Sequence, residues 1–320
     1  MSDIVGLVLP FFGLIFIGFF VARISRQPVE ALGWMNTFVI YVALPALFFQ
    51  LLARTPFEEL TEWSFIFGSV FSTYLVFSAM FVASALLSGG EIAESTIKGL
   101  ASAYGNIGYM GPGLAVLAFG EQAAVPVALI FCFENIMHFT IAPMMMALAG
   151  DDKRPLPQLA AGIASRIVLH PFIVATAIGV AAAYFEFRPP VPLGRLLSYL
   201  SAAAAPCALF AMGVTLALRP LKRVPHEIAP IAVLKLIVHP LLCYAMLSWI
   251  GHFSETWVFS AVLLAALPTA TNVFVIAQQY GVWVQRASAS ILITTCVSVV
   301  SLTGLLYMIR SGVLPADLFP

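Results

Sequence analysis

The sequence predicts an all-α integral membrane protein of ten transmembrane helices, arranged as two inverted five-helix repeats. Three observations carry this. Apolar residues make up 61% of the 320 residues and charged residues only 9%, against about 25% charged in soluble domains. Apolar runs of about 20 residues recur, each enough to cross a hydrocarbon core of about 30 Å. The runs are continuous rather than alternating, which favours helices over barrel strands, because backbone in a bilayer must satisfy its own hydrogen bonds.

The spans fall at 4–22, 34–52, 64–87, 97–119, 123–148, 163–184, 194–217, 228–250, 257–280 and 285–309. The first run exceeds the apolar core of a signal peptide, and no small-residue cleavage site follows it, so it reads as a retained span. The longest polar connections, 150-GDDKRPLPQ-158 and 219-RPLKRVPHE-227, are short. Connections after odd-numbered spans hold Arg23, Arg26, Lys98, Lys153, Arg154, Arg219, Lys222, Arg223 and Arg286, while the opposite side holds Arg54, Arg188, Arg195 and Arg310. Basic loops stay cytoplasmic, so both termini are expected outside a cell (inner) membrane.

Ten spans divide into residues 1–150, a short cytoplasmic linker at 151–162, and residues 163–320. Span two carries 44-LPALFF-49 and span seven 205-APCALF-210; span four runs GNIGYMGPGLAVLAFG to residue 120, and span nine carries 267-LPTATNVFVIAQQYG-281. Five is odd, so the second half enters the membrane from the opposite side. Such inverted repeats are common in secondary transporters.

The stretch 105-GNIGYMGPG-113 is the most informative. Pro112 removes an amide donor and its ring clashes with the preceding turn. Gly105, Gly108, Gly111 and Gly113 each lower helix propensity by up to about 1 kcal/mol relative to alanine. Together they predict a break around 106–112, with 268-PTATN-272 at the matching place in the other half. Tight helix packing would use the same small residues. Two interrupted helices in corresponding positions favour a binding site instead. Helix N-termini there suit a carboxylate, which Asn106, Asn272, Thr269 and Thr271 would supplement with side-chain donors. Gly108, Gly111, Pro112 and Pro268 shape the breaks.

Beyond the terminal two residues of each span, the ionisable Lys, Arg, Asp and Glu positions are Glu134, Arg166 and Lys235. A charge at the bilayer centre costs at least about 2.5–3.5 kcal/mol, so each needs an explanation. Glu134, Asn135 and His138 form a cluster that either receives protons or holds a hydrogen-bonded network. Lys235 either pairs with Glu134 or attracts an anionic substrate. Arg166 near a span end fits snorkelling. Cys132, Cys207, Cys243 and Cys296 stand singly in apolar runs without metal-ligand spacing. Enzyme signatures and an ATP-binding loop are missing, no cofactor is called for, and zero net charge gives no pull toward nucleic acid.

The two interrupted spans resemble the auxin efflux carrier family, which includes plant auxin carriers and bacterial organic-acid permeases. The matching residues are 106-NIGYMGPGL-114 and 266-ALPTATNVFVIAQQYG-281, and 40-IYVALPALFFQ-50 also fits. Asn106, Pro112 and Pro268 correspond directly; where plant members carry a later proline, this chain has Val273 beside Asn272. The resemblance implies discontinuous helices four and nine that cross, a scaffold of spans one, two, six and seven, and a mobile unit of spans three to five and eight to ten. It implies elevator-type transport of small organic anions, malate- or malonate-like or indole acids, by a homodimer in membrane lipid. Sodium-coupled bile acid symporters share the architecture but line their ion sites with more Glu and Gln. That departure argues against sodium coupling and leaves proton coupling through Glu134 or His138, or uniport, as alternatives. A non-transporting membrane sensor on the same fold is the competing reading.

Overall fold

The computed structural model describes residues 2–26, 28–150, 155–218 and 226–318. The described residues are helical, without strands, and an isolated antiparallel bridge joins Gly105 to Thr269. In chain order the helices are α1 (Ser2–Ser25), α2 (Gly33–Leu52), α3 (Trp63–Leu87), α4 (Ile92–Ala103), α5 (Gly111–Phe119), α6 (Ala124–Leu148), α7 (Leu156–Val168), α8 (Pro171–Tyr184), α9 (Val191–Leu218), α10 (Ile228–Ile250), α11 (Glu255–Ala265), α12 (Thr271–Tyr280) and α13 (Val284–Arg310). Among the described residues, six segments are long and apolar enough to cross a membrane: α2, α3, Glu121–Leu148, α9, α10 and α13. The chain is a multi-pass membrane protein.

Expected spans four and nine are each two helices. α4 ends at Ala103 and α5 begins at Gly111; α11 ends at Ala265 and α12 begins at Thr271. Span six differs from expectation, because α7 stops at Val168 and α8 restarts at Pro171. Proline restricts the residue before it away from the helical region, which ends the first helix near His170. Helix also begins at Leu156, inside the stretch read as a linker, since Pro157 is tolerated in a first turn. Residues 151–154 and 219–225, which carry Lys153, Arg154, Arg219, Lys222 and Arg223 of the orientation argument, lie outside the described residues, as does the Arg166 side chain.

Two helices absorb internal prolines by widening. In α10, residues Leu234–Val238 form a π turn in which the His239 amide bonds the Leu234 carbonyl, immediately before Pro240. In α2, Val39–Ala43 does the same before Pro45. An i→i+5 turn relieves the clash between a proline ring and the carbonyl one turn earlier.

The chain divides into two compact units, Met1–Glu62 with Gly108–Cys132 and Val168–Pro220, and Trp63–Ile107 with Phe133–Ile167 and Leu221–Pro320. Within the first, α1 and α9 approach backbone to backbone. A Cβ on Gly18 would lie 2.2 Å from the Phe210 carbonyl oxygen, and one on Gly213 only 1.9 Å from that of Ile15. Lipid gives helices no hydrophobic drive to associate, so close approach through small residues supplies the packing energy. Within the second unit, Phe77, Met80, Ile97, Leu100, Met146, Val273 and Trp283 build an apolar core around the helix breaks.

Candidate functional site: a paired helix break

The second unit holds the end of α4 and both sides of the α11–α12 break, and these ends pair with each other. The Asn106 amide donates to the Pro268 carbonyl at 2.8 Å, and the Ala270 amide donates to the Tyr104 carbonyl at 2.9 Å. Backbone groups released by one interruption are thus satisfied by the other, which removes the main cost of breaking a helix in lipid. Thr269 is wholly buried; its hydroxyl donates to the Ala101 carbonyl (2.7 Å) and its amide to the Thr294 hydroxyl (3.1 Å). Gly105 sits in tight quarters, since a Cβ there would stand 3.2 Å from both the Leu264 carbonyl oxygen and the Lys235 Nζ, closer than ordinary van der Waals contact.

Two side-chain systems adjoin this pairing. In one, the Tyr104 hydroxyl donates to Asn135 Oδ1 (2.6 Å) and accepts from Asn272 Nδ2 (2.8 Å). The Tyr104 ring stacks on His138 at 3.8 Å. His138 is fully buried, and neither ring nitrogen has a hydrogen-bond partner among the described residues.

In the other, Lys235 lies wholly buried on the π turn of α10. Its ammonium donates to the Ala265 carbonyl at the end of α11 and meets His239 Nδ1 at 3.0 Å. His239 Nε2 lies 2.9 Å from the Thr73 hydroxyl, which donates to Glu134 Oε1 at 2.7 Å. Donor capacity fixes the direction: an ammonium can only donate, so Nδ1 accepts and Nε2 carries the hydrogen. Lys235 and Glu134 are therefore joined by a relay through His239 and Thr73, and no direct ion pair links them among the described residues.

Of the residues singled out in the sequence, Asn106, Pro268, Thr269, Asn272, Lys235, Glu134, Asn135 and His138 come together in this unit. Thr271 opens α12, whose N-terminus carries no side-chain cap. Gly108, Gly111 and Pro112 belong to the other unit. There Pro112 lines a cavity of about 750 Å³ with Gln50, Arg54, Glu121, Ser198 and Ser201. Sequence reasoning missed Tyr104 and Thr73. The signal for Thr73 was a polar stripe, Ser69, Ser72 and Thr73, on one buried face of an otherwise apolar helix.

Residues 3–306 match the family described as membrane transport protein. The chain belongs to that auxin efflux carrier-like family. It is therefore a membrane transporter by family, and the resemblance at the two breaks extends over nearly the whole chain. A protein of Rhizobium meliloti (strain 1021) named "Putative malonate transporter" is 64% identical over 320 residues, covering 100% of both chains. The "Uncharacterized transporter YfdV" of Escherichia coli (strain K12) is 24% identical over 325 residues, covering 97% of this chain and 99% of its own. A "Lysosomal cholesterol signaling protein" of Mus musculus is 22% identical over 308 residues, 90% of this chain but 35% of the mouse protein.

Proposed function

We propose that this transporter moves small dicarboxylates, malonate or a close analogue, across the inner membrane by an elevator-type movement that needs no ATP. One observation carries the reading. The two helix breaks pair at Gly105 and Thr269, so the interruption is built in, and α12 starts without a side-chain cap, with Asn272 in its first turn and the Asn106 amide bonded across to the Pro268 carbonyl. Helix-start amides, with nearby side-chain donors, match a carboxylate's acceptor oxygens. The name of the 64% identical relative supports a three-carbon dicarboxylate over a bulkier indole acid.

The inverted five-plus-five repeat and the homodimer belong to the same proposal. Met1–Glu62 and Val168–Pro220 group in one compact unit, which supports reading spans one, two, six and seven as the scaffold. Gly108–Cys132 groups with them, so the moving part is drawn to end at residues 107 and 132 rather than at whole spans. Satisfied backbone at the crossover lets the carrying unit travel without exposing orphan amides and carbonyls to lipid.

Purified protein in liposomes should take up radiolabelled malonate in a saturable way, with unlabelled malonate outcompeting indole-3-acetate. The sensor reading, favoured by the mouse relative's name, expects binding without flux. Binding with no uptake or counterflow in either direction contradicts transport.

A further inference from the structure

We infer that Lys235 is a tethered cation: its ammonium fills, from within the chain, the cation position that two helix C-termini create at the crossover. α4 and α11 both end there, and a Cβ on Gly105, two residues beyond α4, would touch the Leu264 carbonyl of α11 and Lys235 Nζ alike. A helix C-terminus carries partial negative charge and unpaired carbonyls. In interrupted membrane helices such ends and the unwound carbonyls beside them coordinate small cations. Here the neighbouring acceptors are already claimed. Ala101 O receives the Thr269 hydroxyl, Tyr104 O receives the Ala270 amide, and Ala265 O receives the Lys235 ammonium. Glu134 balances the charge through Thr73 and His239.

The ammonium does at this place what a free ion does elsewhere, but it cannot dissociate. It holds the C-terminus of α11 beside that of α4 at the crossover. It leaves no vacancy whose filling would couple transport to an external sodium gradient. The π turn before Pro240 sets Lys235 on the face that reaches Ala265, which gives that local widening a purpose. The inference rests on the transport reading only for this consequence; the site itself is tested by ion binding, which needs no substrate.

The test is thermal unfolding of the full-length protein in detergent at constant ionic strength, in choline, sodium and methylammonium chloride, with ²²Na⁺ binding measured in parallel. The wild-type protein should melt at one temperature in all three salts and bind no sodium saturably. Lys235→Ala removes the chain from Cγ to Nζ, and methylammonium can take the place of its Cε–Nζ end. Methylammonium should raise the variant's melting temperature by about 3 °C or more over choline, roughly the effect of 2 kcal/mol for a protein of this size. Lys235→Ala combined with Glu134→Gln removes the balancing charge and should lose that response. Saturable sodium binding by the wild-type protein overturns the inference. So does the absence of any methylammonium rescue of Lys235→Ala, whether or not the variant folds in choline. Malonate uptake in liposomes is scored separately, so a failure of the substrate assignment leaves these outcomes standing.

Discussion

Tyr104 is the residue on which the polar lining of the crossover depends. Its hydroxyl connects Asn135 of α6 to Asn272 of α12, and its ring covers His138. Tyr104→Phe keeps the stacked ring and removes the link, leaving Asn135 and Asn272 each one partner short. A buried polar group without its partner costs about 1–3 kcal/mol. We expect a lowered melting temperature in detergent and a raised KM for malonate uptake; an unchanged KM would remove Tyr104 from the site. Thr73→Val interrupts the relay between His239 and Glu134 and should destabilise by about the same amount, read as a shift in thermal unfolding, while Thr73→Ser should restore the wild-type value. Tyr104 was not legible in the sequence, and Thr73 only as one member of a polar stripe. A tyrosine ahead of a glycine-rich motif reads as packing, and a threonine in an apolar helix usually bonds its own preceding turn; the Thr73 hydroxyl lies 3.3 Å from the Ser69 carbonyl but gives its hydrogen to the nearer Glu134.

At the scale of elements, the breaks themselves were legible because glycine and proline act locally. The structure opens the first at 104–110 and the second at 266–270, close to Gly105, Gly108, Pro112 and Pro268. Their mutual pairing was not legible, since an antiparallel bridge between residues 164 positions apart depends on register and not on composition. The split before Pro171 was visible in principle, but a proline in an apolar run is also compatible with a kinked continuous helix. The pairing gives a sharp expectation for Gly105→Val, whose added atoms would collide with the Leu264 carbonyl and the Lys235 ammonium. It should lose both stability and uptake. Gly304→Ala in α13, whose Cβ meets nothing within 4 Å, should change neither. Equal behaviour of the two variants would show that Gly105 is only a flexible link. A second helix pair offers an independent check. Gly213→Val sets a side chain against the Ile15 backbone, and overpacking of this kind costs about 1–3 kcal/mol or more, read as lost folded yield in detergent.

At the scale of the molecule, each compact unit has its own packing logic. The first relies on close backbone approach between α1 and α9, the second on an apolar core wrapped around a buried polar crossover. At one end of the second unit, Lys98 bonds Glu94 (2.7 Å) and Glu227 (3.0 Å), and Arg286 reaches Glu227 at 3.1 Å. These partly exposed pairs fix loop ends more than they stabilise. Lys98 and Arg286 are also among the residues that orient the chain, so that end is expected in the cytoplasm. In a cysteine-free background, Ser311→Cys should react with a membrane-impermeant maleimide in intact cells, and Glu91→Cys only after permeabilisation; the reverse pattern inverts the topology. Composition made the membrane class legible, because 9% charged residues leave no soluble alternative. The division at residues 107 and 132, within a break and within α6, was not legible, since units are defined by which faces pack together.

The account's central claim is that the paired breaks bind the carboxylate, and equilibrium binding of radiolabelled malonate to purified protein tests it most directly. Wild-type protein should bind saturably, whereas Asn106→Ala and Asn272→Ala should each lose at least about tenfold in affinity, the equivalent of one charge-assisted hydrogen bond or more, while both variants stay folded at the temperature of the assay. Undiminished affinity in both variants would contradict it.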